Sequence, residues 1–187
     1  SRIESTEHAA PTDAVEVAPI VARVADALAP VARARRIAIA IDLPPDLPAI
    51  PGDADQVQQV IQNLVDNAIK YGRTDGEVRL SARFVAREAI APPRVEIAVA
   101  DNGDGIPREH LHRLTERFYR VDPGRSRRLG GTGLGLAIVK HIVNRHRGTL
   151  SIESEPGRGS VFTVRIPALP GPVASRDDQR DQPSSTA

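Results

Sequence analysis

The chain contains no cysteine, which excludes disulfides, cysteine-ligated zinc and thiol catalysis and fits a reducing compartment. Aromatic residues supply only 3% of its 187 positions, so a core must be assembled from Val, Ile, Leu and Ala. The hydrophobic fraction of 40% is enough to build one. An excess of one charge is also missing. The formal balance is +1, without the basic surplus of a general nucleic-acid or membrane-surface binder. No apolar run is long enough to cross a bilayer, and no charged-then-apolar signal segment opens the chain. These absences leave a soluble domain, and the length suits one domain with ends to spare. The five histidines form no metal set. His110 and His112 stand two apart and fall on different helix faces. His141 and His146 read as surface residues of a late helix, and His8 lies in a polar opening stretch. No Ser/His/Asp triad follows from spacing.

Residues 1–14 read as the remnant of a preceding element or a linker, and 15–167 as the folded domain. Residues 168–187, rich in Pro, Ser, Asp, Gln and Arg, read as a disordered tail. After Pro19, the residues Ile20, Val24, Ala27, Leu28 and Val31 form a helical stripe, with Pro30 a kink or early stop. Ile37, Ile39 and Ile41 alternate as a strand, and a Pro-rich loop reaches Gly52. Asp53 with Gln56 predicts a capping box that opens a helix ending at Gly72. Val78, Leu80, Ala82 and Phe84, then Val95, Ile97 and Val99, alternate as a hairpin whose loop holds Pro92 and Pro93. A short helix is expected over Arg108–Leu114. A basic, glycine-rich segment follows, then a helix over Leu134–His146 capped by Gly148. A final hairpin pairs Thr149–Ser154 with Ser160–Ile166.

Three groups in this layout could carry chemistry. Val57, Val60, Ile61, Leu64, Val65, Ala68 and Ile69 give the Asp53 helix a core face. Beside it Asn63, Asn67 and Lys70 line up in one row. Carboxamide oxygens and an ammonium suit a magnesium ion with phosphates, and equally a solvated polar face. Asp101 closes a strand and is followed by Gly103 and Gly105. A carboxylate held in such a turn can accept from a planar ligand's amino group while the glycines allow close approach; an ordinary Asp-Gly turn has the same sequence. The run Gly130-Gly131-Thr132-Gly133-Leu134-Gly135 precedes an apolar helix, as a phosphate cradle or a hinge would. It is no P-loop, since lysine occurs only at positions 70 and 140, and no strand precedes it as in a dinucleotide fingerprint. Arg117 to Arg128, lying between, reads as a lid over polyphosphate anchored by Phe118 and Tyr119, or as a solvated basic loop.

Taken in this order, the segments resemble the catalytic, ATP-binding domain of bacterial sensor histidine kinases, within the ATPase superfamily shared with gyrase, heat-shock chaperones and mismatch-repair ATPases. Asn63-Leu-Val-Asp-Asn67-Ala-Ile-Lys70-Tyr71 matches the family's N box, and Asp101-Asn-Gly103-Asp-Gly105 its first glycine box. Glu116-Arg-Phe118-Tyr119-Arg120 matches the F box, Gly131-Thr-Gly133-Leu-Gly135-Leu-Ala-Ile-Val the second glycine box, and Gly157-Arg-Gly159-Ser160-Val-Phe162 the closing hairpin. The resemblance covers roughly residues 15–167, and its wording is nearest to phosphate-responsive sensors.

It implies an α/β fold: a two-layer α/β sandwich with a mixed sheet of about five strands backed by helices, and a mobile ATP lid. It implies ATP and Mg²⁺, with Asn67 on the metal and Asn63 catalytic, holding the metal's water or the attack geometry. Lys70 would contact phosphate, Tyr71 would flank adenine, and Asp101 would accept the adenine amino group within a turn formed by Gly103, Gly105 and Ile106. Gly131, Thr132, Gly133, Leu134, Gly135 and Leu136 would cradle phosphates, with Phe118, Tyr119 and Arg120 in the lid. The implied partners are the dimerisation and phosphoacceptor histidine domain of the same parent protein and a response regulator. The implied location is cytoplasmic, with an inner-membrane anchor open for the parent. The family's His-Glu/Asp-…-Pro motif is missing, since His8-Ala-Ala-Pro does not match. The expectation is therefore ATP binding without autophosphorylation by this chain alone. Two other readings stay open: another branch of the superfamily (a serine-directed anti-sigma kinase or a gyrase-like ATPase, the latter carrying Glu where this chain has Asn63) and a non-catalytic interaction module.

Overall fold

In the computed structural model, which describes residues 10–86 and 91–169, the chain begins with β1 (Asp13–Val15), α1 (Val17–Ala34), β2 (Ala38–Asp42) and β3 (Ile50–Gly52). The middle comprises α2 (Ala54–Tyr71), β4 (Glu77–Val85), β5 (Arg94–Asp101), α3 (Arg108–Leu111) and α4 (Pro123–Arg128). The elements α5 (Gly135–Arg145), β6 (Thr149–Glu155) and β7 (Gly159–Pro167) complete it. Of the expected opening 1–14 and tail 168–187, residues 1–9, with His8, and 170–187 lie outside the described residues, as do 87–90; Asp13 and Ala14 belong to β1, and Ala168 and Leu169 donate to Pro93 O and Ala49 O at 2.9 and 3.0 Å. Among the described residues no helix is long and apolar enough to cross a membrane.

Period-two alternation places Val78 and Leu80 of β4, Val95, Ile97 and Val99 of β5, and Phe162, Val164 and Ile166 of β7 on one buried face. The strands form a five-stranded sheet of order β2-β4-β5-β7-β6. β2 runs parallel to β4, which needs the crossover supplied by α2, and the remaining pairs are antiparallel. The helices α1, α2 and α5 pack side by side on that face. α2 lies at the centre, with Ile61, Leu64, Val65 and Ile69 wholly buried. The expected two-layer sandwich is what forms.

Several local expectations are corrected. α1 starts before Pro19, whose missing N–H falls in the first turn where no partner is required. It also runs through Pro30, which is exposed, so water can serve the carbonyl left unbonded. Ala27 and Val31 face solvent, and Ala25 and Ala32 are buried instead. The helix closes when Arg36 turns left-handed at φ 56, with Arg36 N–H donating to Arg33 O and Ile37 N–H to Ala32 O, each at 2.9 Å. β1 and β3 form a second, two-stranded sheet, three residues each and too short for periodicity to reveal. The helix after Pro107 ends at Leu111 rather than Leu114, and α4 is a helical turn inside the segment read as loop. Gly72 does end α2, but at φ −62. Glycine is required there because a Cβ would stand 2.5 Å from Ala68 O. After α5 the left-handed residue is Arg147, at φ 55, rather than Gly148.

Candidate functional site

α2 carries the asparagine row, and both its ends are tied down. Asp53 Oδ1 accepts from the amides of Asp55 and Gln56 at 3.0 and 3.1 Å. The Gln56 side chain donates to Asp53 Oδ2 at 3.1 Å instead of closing a capping box on the Asp53 amide. That amide donates to His146 Nε2 at 3.0 Å. His146 is therefore not a surface residue. It is 2% exposed, and its Nδ1 donates to Ile142 O at 2.8 Å, so one neutral imidazole joins the start of α2 to the end of α5. At the other end Arg35 donates to the carbonyls of Ile69, at 2.5 Å, and Lys70, which the helix leaves without partners.

Asn63, Asn67, Lys70 and Tyr71 face one cavity of roughly 270 Å³, together with Asp101, Gly105, Ile106, Tyr119 and Arg120. Gly131, Thr132, Gly133, Gly135 and Leu136 complete the expected lining. The carboxamide row meets the start of α5: a Cβ on Gly135 would lie 3.3 Å from Asn63 Oδ1. Lys70 is held by Asp66, its neighbour one turn back, at 2.7 Å. Asp66 also lines the cavity; at position i+3 from Asn63 it belongs to the same row, and extending the row by one residue would have found it.

Asp101 ends β5 opposite Ser160 of β7. Its Oδ1 accepts from the Gly103 amide at 2.8 Å, which fixes the carboxylate's orientation. Burial pushes the Asp101 carboxyl above the usual carboxylate range, with nearby Asp104 adding to it, while amide hydrogen bonds from Gly103 and Ser160 oppose it. Gly105, at φ 70, packs so tightly on the last hairpin that a Cβ would sit 2.0 Å from Glu155 O. Gly103 does not line the cavity. It presses against the end of α2, where a Cβ would be 2.6 Å from Tyr71 O, and so brings the Asp101 turn to the asparagine helix.

The lid region corrects a further expectation. Phe118 anchors nothing: its ring is 69% exposed and its φ is 64. Its backbone matters instead, since the Phe118 amide donates to Gly133 O at 2.8 Å, and Gly133 at φ 72 leaves no room for a Cβ against Phe118. Tyr119 does the anchoring. Its hydroxyl lies 2.5 Å from His110 Nδ1, and the Arg113 guanidinium sits 4.2 Å over its ring. Leu134, like Phe118, is outside the lining. Ser126, Leu114 and Phe162 are inside it; contacts made only by chain folding carry no short-range signal in the sequence.

The donor set indicates what the cavity can hold. Among the described residues no cluster of three His, Asp or Glu side chains could take a metal, so capacity for one rests on the carboxamide oxygens of Asn63 and Asn67, hard ligands suited to Mg²⁺ with phosphate and water. Arg120 lines the cavity, and its Nε is buried without a hydrogen-bond partner. The first-turn amides of α5, which have no partner within the helix, add donors for an anion, whereas the amides of Gly131 and Leu134 already donate to Ser126 O at 2.8 Å and Thr132 Oγ1 at 3.3 Å.

Residues 52–170 match the family described as histidine kinase-, DNA gyrase B-, and HSP90-like ATPase. The chain is 40% identical over 182 residues to the sensor-like histidine kinase SenX3 of Mycolicibacterium smegmatis, covering 97% of this chain and 46% of that protein. It is 40% identical over 177 residues to the phosphate regulon sensor protein PhoR of Pseudomonas aeruginosa, covering 95% and 38% respectively. The chain thus spans less than half the length of these relatives. Among solved structures, the mycobacterial sensor histidine kinase MprB superposes with a TM-score of 0.68 at 28% identity, covering 86% of this chain and 99% of that chain. Full-length ShkA in complex with AMPPNP superposes with a TM-score of 0.71 at 30% identity, covering 85% and 31%.

Proposed function

The chain belongs to the histidine kinase-, DNA gyrase B-, and HSP90-like ATPase family, and on that premise we propose that it is the ATP-binding catalytic domain of a sensor histidine kinase. It binds Mg-ATP and donates the γ-phosphoryl group to a histidine on a dimerisation hairpin, for relay to a response regulator. The observation that carries this reading is the single cavity shared by Asn67, Asp101 and the Gly131–Leu136 run, drawn from three distant parts of the chain. The names of its relatives, and the ATP analogue bound to ShkA, support it. The identity to a phosphate regulon sensor supports placement among phosphate-responsive sensors.

The cavity has two ends. Tyr71 and Asp101 form the base end, where the carboxylate accepts the adenine amino group. Asn63 and the start of α5 form the phosphate end, about 12 Å away along the axis of α2 at the helical rise. There the amides at the start of α5 take phosphate oxygens; Lys70, whose ammonium turns back along α2 to Asp66, meets the phosphate chain between the two ends, and Arg120 adds a cation from the lid. A magnesium ion held by the Asn67 oxygen, with Asn63 beside it, would neutralise charge on the phosphate chain. The protein's own contribution is positioning and charge stabilisation, which is the larger part of catalysis in phosphoryl transfer. Asn63 carries no titratable group, so it is a poor general base for water, and this favours transfer over the hydrolysis expected of a gyrase-like ATPase.

Titration with a fluorescent ATP analogue, with and without magnesium, tests the reading: saturable, metal-strengthened binding is expected, and no saturable binding would refute it. Radiolabelled ATP should leave no acid-labile phosphate on this chain alone, yet should label a phosphoacceptor hairpin supplied in trans. Stable label on the chain itself would contradict the assignment of roles.

A further inference from the structure

We propose that Ser126 is a positioning residue that latches the lid helix α4 to the base end of the cavity through the Tyr71 hydroxyl. The helix reads Pro-Gly-Arg-Ser-Arg-Arg, a sequence with no apolar side chain beyond its opening proline. Hydrophobic burial therefore does little to hold it on the body of the domain. Its attachment is polar. Ser126 is 4% exposed, and its Oγ lies 2.8 Å from the Tyr71 hydroxyl. The Ser126 amide donates to Asp122 O at 2.9 Å, and its carbonyl accepts from the Gly131 amide at 2.8 Å. Gly131 makes room for the pair, since a Cβ there would stand 2.5 Å from Ser126 Oγ and 3.0 Å from the Tyr71 hydroxyl. A buried serine facing the last residue of α2, with a glycine clearing the contact, joins the lid to the one helix that also carries the asparagine row.

The position of the latch decides what it controls. The latch uses the side chain proposed to flank adenine and makes no contact with the Asn63 side chain, so the lid is fastened beside the base. Nucleotide passing beneath α4 has to part the two hydroxyls and lets them close again behind it. The latch therefore governs how fast the nucleotide enters and leaves, and phosphoryl transfer only through occupancy. This deepens the proposed function and rests on it.

The test uses this chain with Tyr71→Phe, Ser126→Ala and the double substitution. Without nucleotide, limited trypsin cleavage after the exposed Arg128 reports the open lid, because cleavage follows the open population when reclosing is fast. With a fluorescent ATP analogue, stopped-flow displacement reports release. Each single substitution should speed both rates about two- to tenfold, the equivalent of one net hydrogen bond, and the double should be no faster than the faster single, because both remove the same bond. Unchanged rates, or a double effect equal to the product of the singles, would overturn the latch. A lower melting temperature of the whole domain in Ser126→Ala would overturn it as well, because the serine would then support the global fold. Failure of the unsubstituted chain to bind nucleotide would instead overturn the nucleotide reading, while the trypsin rates still decide whether the two hydroxyls hold the lid.

Discussion

Replacing Asp101 with Asn changes one oxygen to an amide nitrogen and leaves the shape of the base end nearly unaltered. In the native chain the carboxylate accepts from the amides of Gly103, at 2.8 Å to Oδ1, and Ser160; these contacts fix the group, and the lone pairs they leave are offered to the ligand. In Asp101→Asn the remaining carbonyl oxygen stays on the Gly103 amide, and the new NH₂ faces the adenine amino group, donor against donor. The loss is one hydrogen bond to a charged acceptor, about 1.5–3 kcal/mol, which is roughly a 10- to 150-fold rise in Kd for ATP. GTP offers a carbonyl at the corresponding position, which the new amide can meet, so its affinity should hold or improve. Competition titration against a fluorescent ATP analogue measures both. The same carboxyl has a pKa raised by burial. Native affinity should therefore weaken on acidification at a pH above that expected of a solvated carboxylate, and the Asn variant should lose this dependence. Equal loss of ATP and GTP affinity, or an unchanged acid limb in Asp101→Asn, would refute Asp101 as the base reader.

The other outcomes follow from contacts outside the base end. Asn67→Ala should abolish most of the magnesium-dependent part of ATP affinity, and titration with and without the metal would show an equal loss in both if the residue were merely structural. His146→Ala leaves the Asp53 amide buried without an acceptor and should cost about 2 kcal/mol, lowering the melting temperature by about 4–8 °C; no change would show that water replaces the imidazole. On the open face of the sheet, burial raises the Glu96 pKa, but hydrogen bonds from Arg83, Arg165 and Arg94 outweigh it and bring it from 4.5 down to about 2. Stability from this cluster is thus complete above pH 4.5 and lost as pH falls towards 2. Because Arg83 is 73% exposed, the screened worth of the cluster is about 1–2 kcal/mol. Melting curves should show Glu96→Gln below the native chain at neutral pH, with the gap closing in acid; a gap independent of pH would contradict this.

What the sequence displayed was whatever repeats at short range. The helical stripe of α2 and the alternation in β4, β5 and β7 were legible because each recurs along a continuous segment facing one core. The motif residues of the site were legible for a different reason: carboxamides, a carboxylate and clustered glycines are uncommon company. Contacts between distant segments left no such trace. His146 looked like a surface residue of the last helix, and only the approach of the Asp53 amide, 93 positions away, makes it structural. Phe118 looked like an anchor because aromatic rings usually bury, yet here its backbone serves the Gly133 turn and Tyr119 takes the anchoring role. Glu96 sat at an outward strand position, and three arginines from β4, β5 and β7 cover it. Gly72 ended its helix as expected, although the cause is close approach to Ala68 O rather than a left-handed turn.

The central claim is that one purine triphosphate spans the cavity from Asp101 to the start of α5 with its metal at Asn67. A crystal structure of the chain with AMPPNP and magnesium tests it most directly. The adenine amino group is expected on the Asp101 carboxylate, the metal on the Asn67 oxygen and the phosphates against the amides at the start of α5. A nucleotide bound elsewhere, or one whose base lies beside Asn63 while its phosphates approach Asp101, would contradict it.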